Sequence, residues 1–106
     1  MLLDRTVFKM YVKKGCPYCD KATKKIVEGL NSTLYTIDVT DEPELRQRVA
    51  EETGHKTVPA IWIGEDFIGG CDDLTKLCDD DSFKVRVLTE EISILRSEVI
   101  RLRRSL

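Results

Sequence analysis

The sequence lacks any long hydrophobic run, which bears first on the class of protein. No stretch approaches the roughly 18 consecutive apolar residues that a membrane-spanning helix requires. The few apolar residues that follow Met1 are too few for the core of a signal peptide. We therefore expect no membrane partner and a reducing compartment, the cytoplasm, where frameworks of structural disulfides are rare.

The sequence also lacks a dominant sign of charge, internal repeats and low-complexity segments. The formal net charge is -2 over 106 residues, which predicts no nucleic-acid partner for the chain as a whole. A hydrophobic fraction of 42% and a charged fraction of 34% are typical of one globular domain of this length.

Histidine is scarce, and this limits the interpretation of the four cysteines. A structural zinc site needs four convergent ligands. Cys16 and Cys19 could supply one half-site, but Cys71 and Cys78 are seven residues apart and His55 is the only histidine. This spacing argues against zinc. A reactive pair and two ordinary cysteines at a helix end remain as explanations of the first two.

Hydrophobic periodicity and turn residues predict strands and helices in the order β-α-β-α-β-β-α-α. The second helix should be capped by Thr40 or Asp41 and the third by Asp72 and Asp73. Three strands joined by two helical crossovers imply a partly parallel sheet with helices on both faces. The predicted strands are 6–12, 33–39, 60–64 and 65–70, and the predicted helices are 17–30, 43–53, 72–78 and one from 82 onward.

The pair Cys16 and Cys19 follows a predicted strand and opens a predicted helix. The sulfur of Cys16 should therefore lie near unpaired N–H groups and the positive end of the helix dipole, and Lys13 and Lys14 add positive charge. These surroundings favour the thiolate. Cys19, one turn further on, should be more buried and remain protonated. The asymmetry predicts that Cys16 attacks a disulfide and that Cys19 resolves the mixed disulfide.

Three motifs together resemble the dithiol glutaredoxins, a branch of the thioredoxin-fold superfamily. They are "CPYC" at 16–19, "TVP" at 57–59 and "GGCDD" at 69–73. The resemblance implies a thioredoxin fold, an α/β architecture with a mixed four-stranded sheet flanked by helices, over residues 1–82. It also implies a glutathione-dependent oxidoreductase that reduces protein–glutathione mixed disulfides, a deglutathionylation, and protein disulfides.

The resemblance further implies a binding site for glutathione, the co-substrate. Lys13 and Arg46 match basic residues that meet its glycine carboxylate. Val58, before a cis-proline, matches the residue whose backbone pairs with its cysteinyl part. The residues at the start of the third helix match those that hold its γ-glutamyl end. The implied contacts are Lys13, Tyr18, Arg46, Thr57, Val58, Pro59, Gly70, Cys71 and Asp72.

No metal is expected at this site. Some relatives hold a [2Fe–2S] cluster between two subunits, but they usually carry a smaller residue where this chain has Pro17. A second functional class is a binding module that uses a glutathione-dependent or iron–sulfur surface for recognition. Turnover of a glutathionylated peptide, or visible absorbance of the purified protein, distinguishes the two classes.

The segment 83–106 departs from the family pattern and forms a predicted amphipathic helix. Its apolar residues alternate spacings of three and four, with β-branched or Leu side chains at a and Leu at every d. This pattern favours a parallel two-stranded coiled coil, and hence a homodimer through residues 85–106. Glu91 and Glu98 would face Arg96 and Arg103 of the partner. The a and d residues are Val85, Leu88, Ile92, Leu95, Val99, Leu102 and Leu106.

The same helix allows two other arrangements. Four apolar residues, Phe83, Val87, Ile94 and Ile100, lie outside the a and d positions and widen the stripe. They favour packing of the helix on its own domain or on another protein. We expect residues 83–88 to dock on the sheet of their own domain in all three arrangements. The sequence leaves the three arrangements open.

Overall fold

The computed structural model describes residues 6–105 of the chain, with side chains described for residues 6–97. Its helices and strands follow the predicted order. The four strands are β1 (Phe8–Val12), β2 (Leu34–Asp38), β3 (Ala60–Ile63) and β4 (Asp66–Gly69). The helices are α1 (Pro17–Lys24), continued by a π-helical turn (Lys25–Gly29), α2 (Pro43–Thr53), α3 (Cys71–Cys78) and α4 (Asp81–Ser105).

The strands form one mixed sheet in the order β2-β1-β3-β4. β1 pairs with β2 in parallel, with Phe8 opposite Leu34, and with β3 in the antiparallel sense, with Phe8 opposite Ile63. β4 returns beside β3 as a hairpin with an irregularity between Ile61 and Trp62. This is the thioredoxin-like arrangement that the sequence predicts. It brings the carboxyl end of β1 and the start of α1 to one end of the sheet.

The main core lies on one face of the sheet, beneath α1, α3 and the start of α4. Phe8 and Met10 of β1 point into it, and α1 with its π-helical turn contributes Ala22 and Ile26. The alternate residues of β1 point to the opposite face. There Tyr11 packs edge-on against Trp62 at 5.3 Å between ring centroids. Trp62 is half-buried because it belongs to this second face.

The second helix begins differently from the prediction. Its N-cap is Glu42, which makes no side-chain capping hydrogen bond, so neither Thr40 nor Asp41 caps it. Thr40 is engaged in the preceding loop, where its hydroxyl oxygen lies 2.5 Å from Asp38 Oδ1 and accepts from the Lys14 N–H at 2.9 Å. α2 ends at Gly54, whose φ of 76° is the left-handed conformation that glycine adopts without strain.

The third helix begins one residue earlier than predicted. Its N-cap is Gly70, and Cys71 is the first helical residue. Asp73 acts from the third helical position, where its carboxylate accepts from the Gly70 N–H at 3.0 Å. Asp72 makes no cap and stays exposed. Gly69 is required just before this turn, because its φ is 126° and a Cβ there would collide with Asp73.

The last helix begins at Asp81, where Asp80 Oδ1 accepts from the Ser82 and Phe83 N–H groups at 2.8 and 3.2 Å. Its first turns dock on the domain. Phe83 and Val87 are 8% and 3% exposed and belong to the core cluster, with Ile94 packed against it. Of the predicted a and d residues, Val99, Leu102 and Leu106 lie outside the residues whose side chains are described, as do Glu98, Ile100 and Arg103.

No helix described between residues 6 and 105 combines the length and the apolarity that crossing a membrane requires.

Candidate functional site

The cysteine pair lies where β1 ends and α1 begins. Cys16 is the N-cap of α1, and Pro17 occupies the first helical position. A backbone N–H at that position has no partner within the helix, so the N–H that proline lacks costs no hydrogen bond. The Cys19 backbone N–H donates to Cys16 Sγ at 3.3 Å. Such a donor at a helix N-terminus stabilises negative charge on the sulfur it meets. Cys16 therefore lies at the N-terminus of a helix, as the sequence predicts, with a backbone N–H directed at its sulfur.

The two thiols differ in burial and in protonation. Cys16 is partly exposed, whereas Cys19 is only 4% exposed. Burial, and then the hydrogen bond with the Cys16 side chain, raises the pKa of Cys19 to about 12. Cys19 is thus protonated at neutral pH, as predicted. Cys16 is the sulfur that an incoming disulfide can reach.

On one side of the pair is a depression with positively charged walls. Lys13 and Arg46 line it together with Thr57 and Val58. The apolar part of its lining comes from Tyr11, Val39, Val49 and Ala60. Lys13 is half-buried and Arg46 is exposed. The arrangement offers cations above an apolar floor, which suits a carboxylate at the end of a small ligand.

On the other side is a second depression, where the remaining predicted contacts meet. Its lining includes Tyr18 on the α1 side and the start of α3 on the other. Tyr18 is 59% exposed, so its ring stands at the rim. Cys71 is 5% exposed and lies at the floor, with the exposed carboxylate of Asp72 beside it. The predicted residues here are Tyr18, Thr57, Val58, Pro59, Gly70, Cys71 and Asp72.

The two depressions join into one groove at the segment before β3. Thr57 and Val58 line both, and the Val58–Pro59 peptide bond is cis, as the resemblance implies. Cys16 Sγ lies 3.9 Å from the Val58 carbonyl oxygen, so this sulfur is next to the junction. All nine predicted contacts therefore line one groove, with cations at one end and Asp72 at the other.

Two groove residues were missed by the sequence analysis. Lys56 lines the cationic end, and His55 lines both depressions. His55 is half-buried against Phe67, with ring centroids 5.6 Å apart. Its Nε2 lies 3.1 Å from the Pro59 carbonyl oxygen and 3.3 Å from Thr57 Oγ1. A carbonyl oxygen only accepts, so Nε2 must carry the proton for that bond to form. The adjacency of His55 and Lys56 to "TVP" in the sequence was the signal that could have identified them.

The fourth cysteine lies away from the groove. Cys78 ends α3, half-buried against the core cluster. Burial is the largest influence on its thiol and raises its pKa. Among the residues that the structure describes, no group of three or more His, Cys, Asp or Glu side chains is placed to hold a metal ion.

Comparison with known proteins gives consistent matches over most of the chain. Residues 8–68 match the sequence model of the family described as Glutaredoxin. The chain is 43% identical over 68 residues to a glutaredoxin of Pseudomonas aeruginosa, covering 64% of this chain and 80% of the relative. It is 38% identical over 91 residues to glutaredoxin-C6 of Oryza sativa, covering 83% and 80% of the two chains.

Solved structures agree with the sequence relatives. Wheat glutaredoxin superimposes with a TM-score of 0.75 at 26% identity, over 85% of this chain and 88% of its own. A buckwheat glutaredoxin–glutathione complex superimposes with a TM-score of 0.68 at 30% identity, over 84% and 82%. With its CxxC pair at the start of a helix in a thioredoxin-like fold, the chain belongs to the glutaredoxin family, whose members are glutathione-linked thiol–disulfide oxidoreductases.

Proposed function

We propose that this protein reduces protein–glutathione mixed disulfides and protein disulfides, with Cys16 as nucleophile and Cys19 as resolving thiol. The observation that carries the proposal is the asymmetry of the pair. The Cys16 sulfur is partly exposed at the junction of the groove and accepts an N–H bond from Cys19 at 3.3 Å. The Cys19 thiol is buried one helical turn away, and its pKa is raised to about 12.

The groove suits glutathione as the bound half of the substrate. Its glycine carboxylate would meet Lys13 and Arg46 at the cationic end. Its cysteinyl backbone would pair with Val58 like an added strand, which brings its sulfur to Cys16. Its γ-glutamyl end would reach the N–H groups at the start of α3 and the Asp72 carboxylate. A related buckwheat glutaredoxin, 30% identical, is known in complex with glutathione.

The proposed reaction on a glutathionylated protein has two exchange steps. The Cys16 thiolate attacks the glutathione sulfur, the protein–glutathione S–S bond breaks, and the protein leaves as a thiolate that takes up a proton. Cys16 is then disulfide-bonded to glutathione. The thiolate of a second glutathione attacks the glutathione sulfur of that bond. Oxidised glutathione is released, and Cys16 returns to its thiolate form.

A protein disulfide requires the second thiol. Attack by Cys16 leaves a Cys16–protein mixed disulfide, and Cys19 must then attack the Cys16 sulfur, losing its proton to the departing protein thiolate. The Cys16–Cys19 disulfide forms and two glutathione molecules reduce it. The high pKa of Cys19 keeps this thiol from competing with Cys16 for the first attack, because only a thiolate is nucleophilic.

Turnover of two substrates by two variants tests these roles. With a glutathionylated peptide, Cys16→Ser should lower kcat/KM by at least about 10³-fold, because the nucleophile is gone. Cys19→Ser should keep that activity within about threefold while losing reduction of a protein disulfide. Deglutathionylation retained by Cys16→Ser would refute the assignment. Loss of both activities in Cys19→Ser would refute the separate roles.

Cellular site and assembly are part of the same proposal. A dithiol that cycles through glutathione requires a reducing pool, so we place the protein in the cytoplasm. Fractionation of source cells followed by immunodetection tests this placement.

We also propose a homodimer through residues 85–106, supported by the heptad pattern of this segment. Client proteins would be glutathionylated or disulfide-containing proteins that fit beside the groove.

A further inference from the structure

Helix α4 has one apolar face that the domain already covers. Phe83 packs against Phe8 with ring centroids 6.2 Å apart, and Val87 and Ile94 follow on the same face. Polar contacts flank this stripe. Arg86 Nη2 lies 2.7 Å from Asp66 Oδ2, and the Ser32 hydroxyl donates to Glu91 Oε1 at 2.9 Å. The docked face therefore accounts for three of the four apolar residues outside the heptad positions.

The same helix has a second apolar face, and nothing in the chain's described part covers it. The four heptad residues on it are exposed although their side chains are large and apolar. At 100° per residue, their mean direction is about 140° from that of the docked stripe. Soluble monomers rarely expose a contiguous apolar patch of this kind. The residues are Val85, 60% exposed, Leu88, 59%, Ile92, 55%, and Leu95, 60%.

We propose that this free face binds the same face of a second copy of the chain, with the two α4 helices parallel and in register. The proposal gives the homodimer a defined surface and orientation. Val85 and Ile92 are β-branched residues at a, and Leu88 and Leu95 occupy d, which is the combination that favours a parallel two-stranded coil. By sequence, the spacing continues at residues 99 and 102.

The charges beside the free face are self-complementary. Glu91 is a g residue and Arg96 is the e residue five positions on, so in a parallel pair each Glu91 faces the partner's Arg96 across the seam. Two-fold symmetry makes this contact twice. Within the described residues Arg96 forms no ion pair, and Glu91 uses only Oε1 for Ser32. A second copy of the chain supplies these complementary charges by symmetry, whereas an unrelated partner would have to carry them at the same spacing.

The position of α4 leaves both grooves open in such a dimer. Its docked turns lie at the end of the sheet where Gly64 donates to the Val7 carbonyl oxygen at 2.9 Å, and Glu90 lies next to Gly64. The groove is at the opposite end, where β1 runs into α1. The two domains would project away from the coil on opposite sides, since each covers the face of its helix opposite the seam.

The test is sedimentation equilibrium of the full chain, with reductant present, from about 5 to 200 µM. The wild type should approach twice the monomer mass at the upper concentrations. Ile92→Lys should raise the dissociation constant at least about tenfold, because it places a charge in the seam. Ser93→Lys, which adds the same charge at an exposed position outside the seam, should behave as the wild type. A monomeric wild type, or equal effects of both variants, would overturn the proposal.

Charge reversal tests the parallel orientation. Glu91→Lys and Arg96→Glu should each dimerise more weakly than the wild type, since each places like charges together. An equimolar mixture of the two should recover the lost affinity, because the introduced lysine of one chain then faces the introduced glutamate of the other. No recovery would overturn the parallel pairing. All variants should keep glutathione-dependent turnover within about twofold, so failure of the dimer and failure of the catalytic proposal are separate observations.

Discussion

The groove and helix α4 lie at opposite ends of the molecule and are built in opposite ways. The groove collects short pieces from the end of β1, the helices α1 and α2, the loop before β3 and the start of α3. Helix α4 is one continuous element whose contacts repeat every three or four residues. The groove is therefore a product of the fold, whereas the two faces of α4 are products of a local period.

This difference has a consequence for how each end responds to mutation. Groove residues such as Arg46 and Tyr18 are exposed and contribute little to packing. Their loss should change substrate handling and leave stability intact. In α4, residues with similar side chains should differ sharply in their effect on stability according to the face they occupy. Four measurements challenge this contrast.

The largest change in the free energy of unfolding is expected from mutations on the two faces of α4. Phe83→Ala removes a ring that is 8% exposed and packed on Phe8, so the free energy of unfolding should fall by about 3–5 kcal/mol. Leu88→Ala, at a position 59% exposed, should lower it by less than about 1 kcal/mol at concentrations where the chain is monomeric. Urea unfolding measures both. Equal losses would contradict the two-faced description.

A smaller change in the free energy of unfolding is expected from the buried thiol of Cys19, at the end of the molecule that holds the groove. The pKa of Cys19 in the folded chain, about 12, lies above its ordinary value of 9.0. Its contribution to stability is therefore fully present below about pH 9 and is lost as pH rises toward 12. By pH 10 the unfolded thiolate should favour unfolding by about 1 kcal/mol. Urea titrations with reductant at pH 7.5 and 10 should show this difference between the wild type and Cys19→Ala; identical pH dependence would contradict it.

Mutation at the cationic end of the groove should change substrate binding. Arg46→Gln should raise KM for a glutathionylated peptide by about fivefold, because an exposed charge-assisted contact contributes about 1 kcal/mol. The difference should shrink at high salt. Lys24→Gln removes an exposed charge of α1 that does not line the groove and serves as the matched control. If both variants change KM equally, the general field of the protein is responsible and Arg46 has no specific contact.

The smallest effect is expected at His55, which we assign as a positioning residue for the loop between residues 57 and 59. His55→Phe keeps a ring against Phe67 but removes the N–H that meets the Pro59 carbonyl oxygen. KM for the glutathionylated peptide should rise about threefold with kcat little changed. His55→Gln restores an N–H and should recover most of the loss. Equal losses in both variants would point to ring packing as the only role.

Most of the groove could be predicted because its residues belong to short motifs. "CPYC", "TVP" and "GGCDD" each specify a local geometry, and the structure brings all three together. Lys56 and His55 were missed because they lie in the loop before "TVP" and gain their roles only when that loop folds over β3. The cap of α2 was missed for a related reason, since Thr40 is recruited by Asp38 and Lys14 in the preceding loop.

The linear order of residues determined by itself the alternation of strands and helices, the start of α1 at Pro17 and the end of α2 at Gly54. These depend on hydrophobic period and on backbone conformations that particular residues favour. Only the tertiary structure decided that Trp62 lies outside the main core and that Phe83, Val87 and Ile94 face the domain while Val85, Leu88, Ile92 and Leu95 face away. Both stripes have the same helical period, and the direction of burial depends on which surface the rest of the chain presents to the helix.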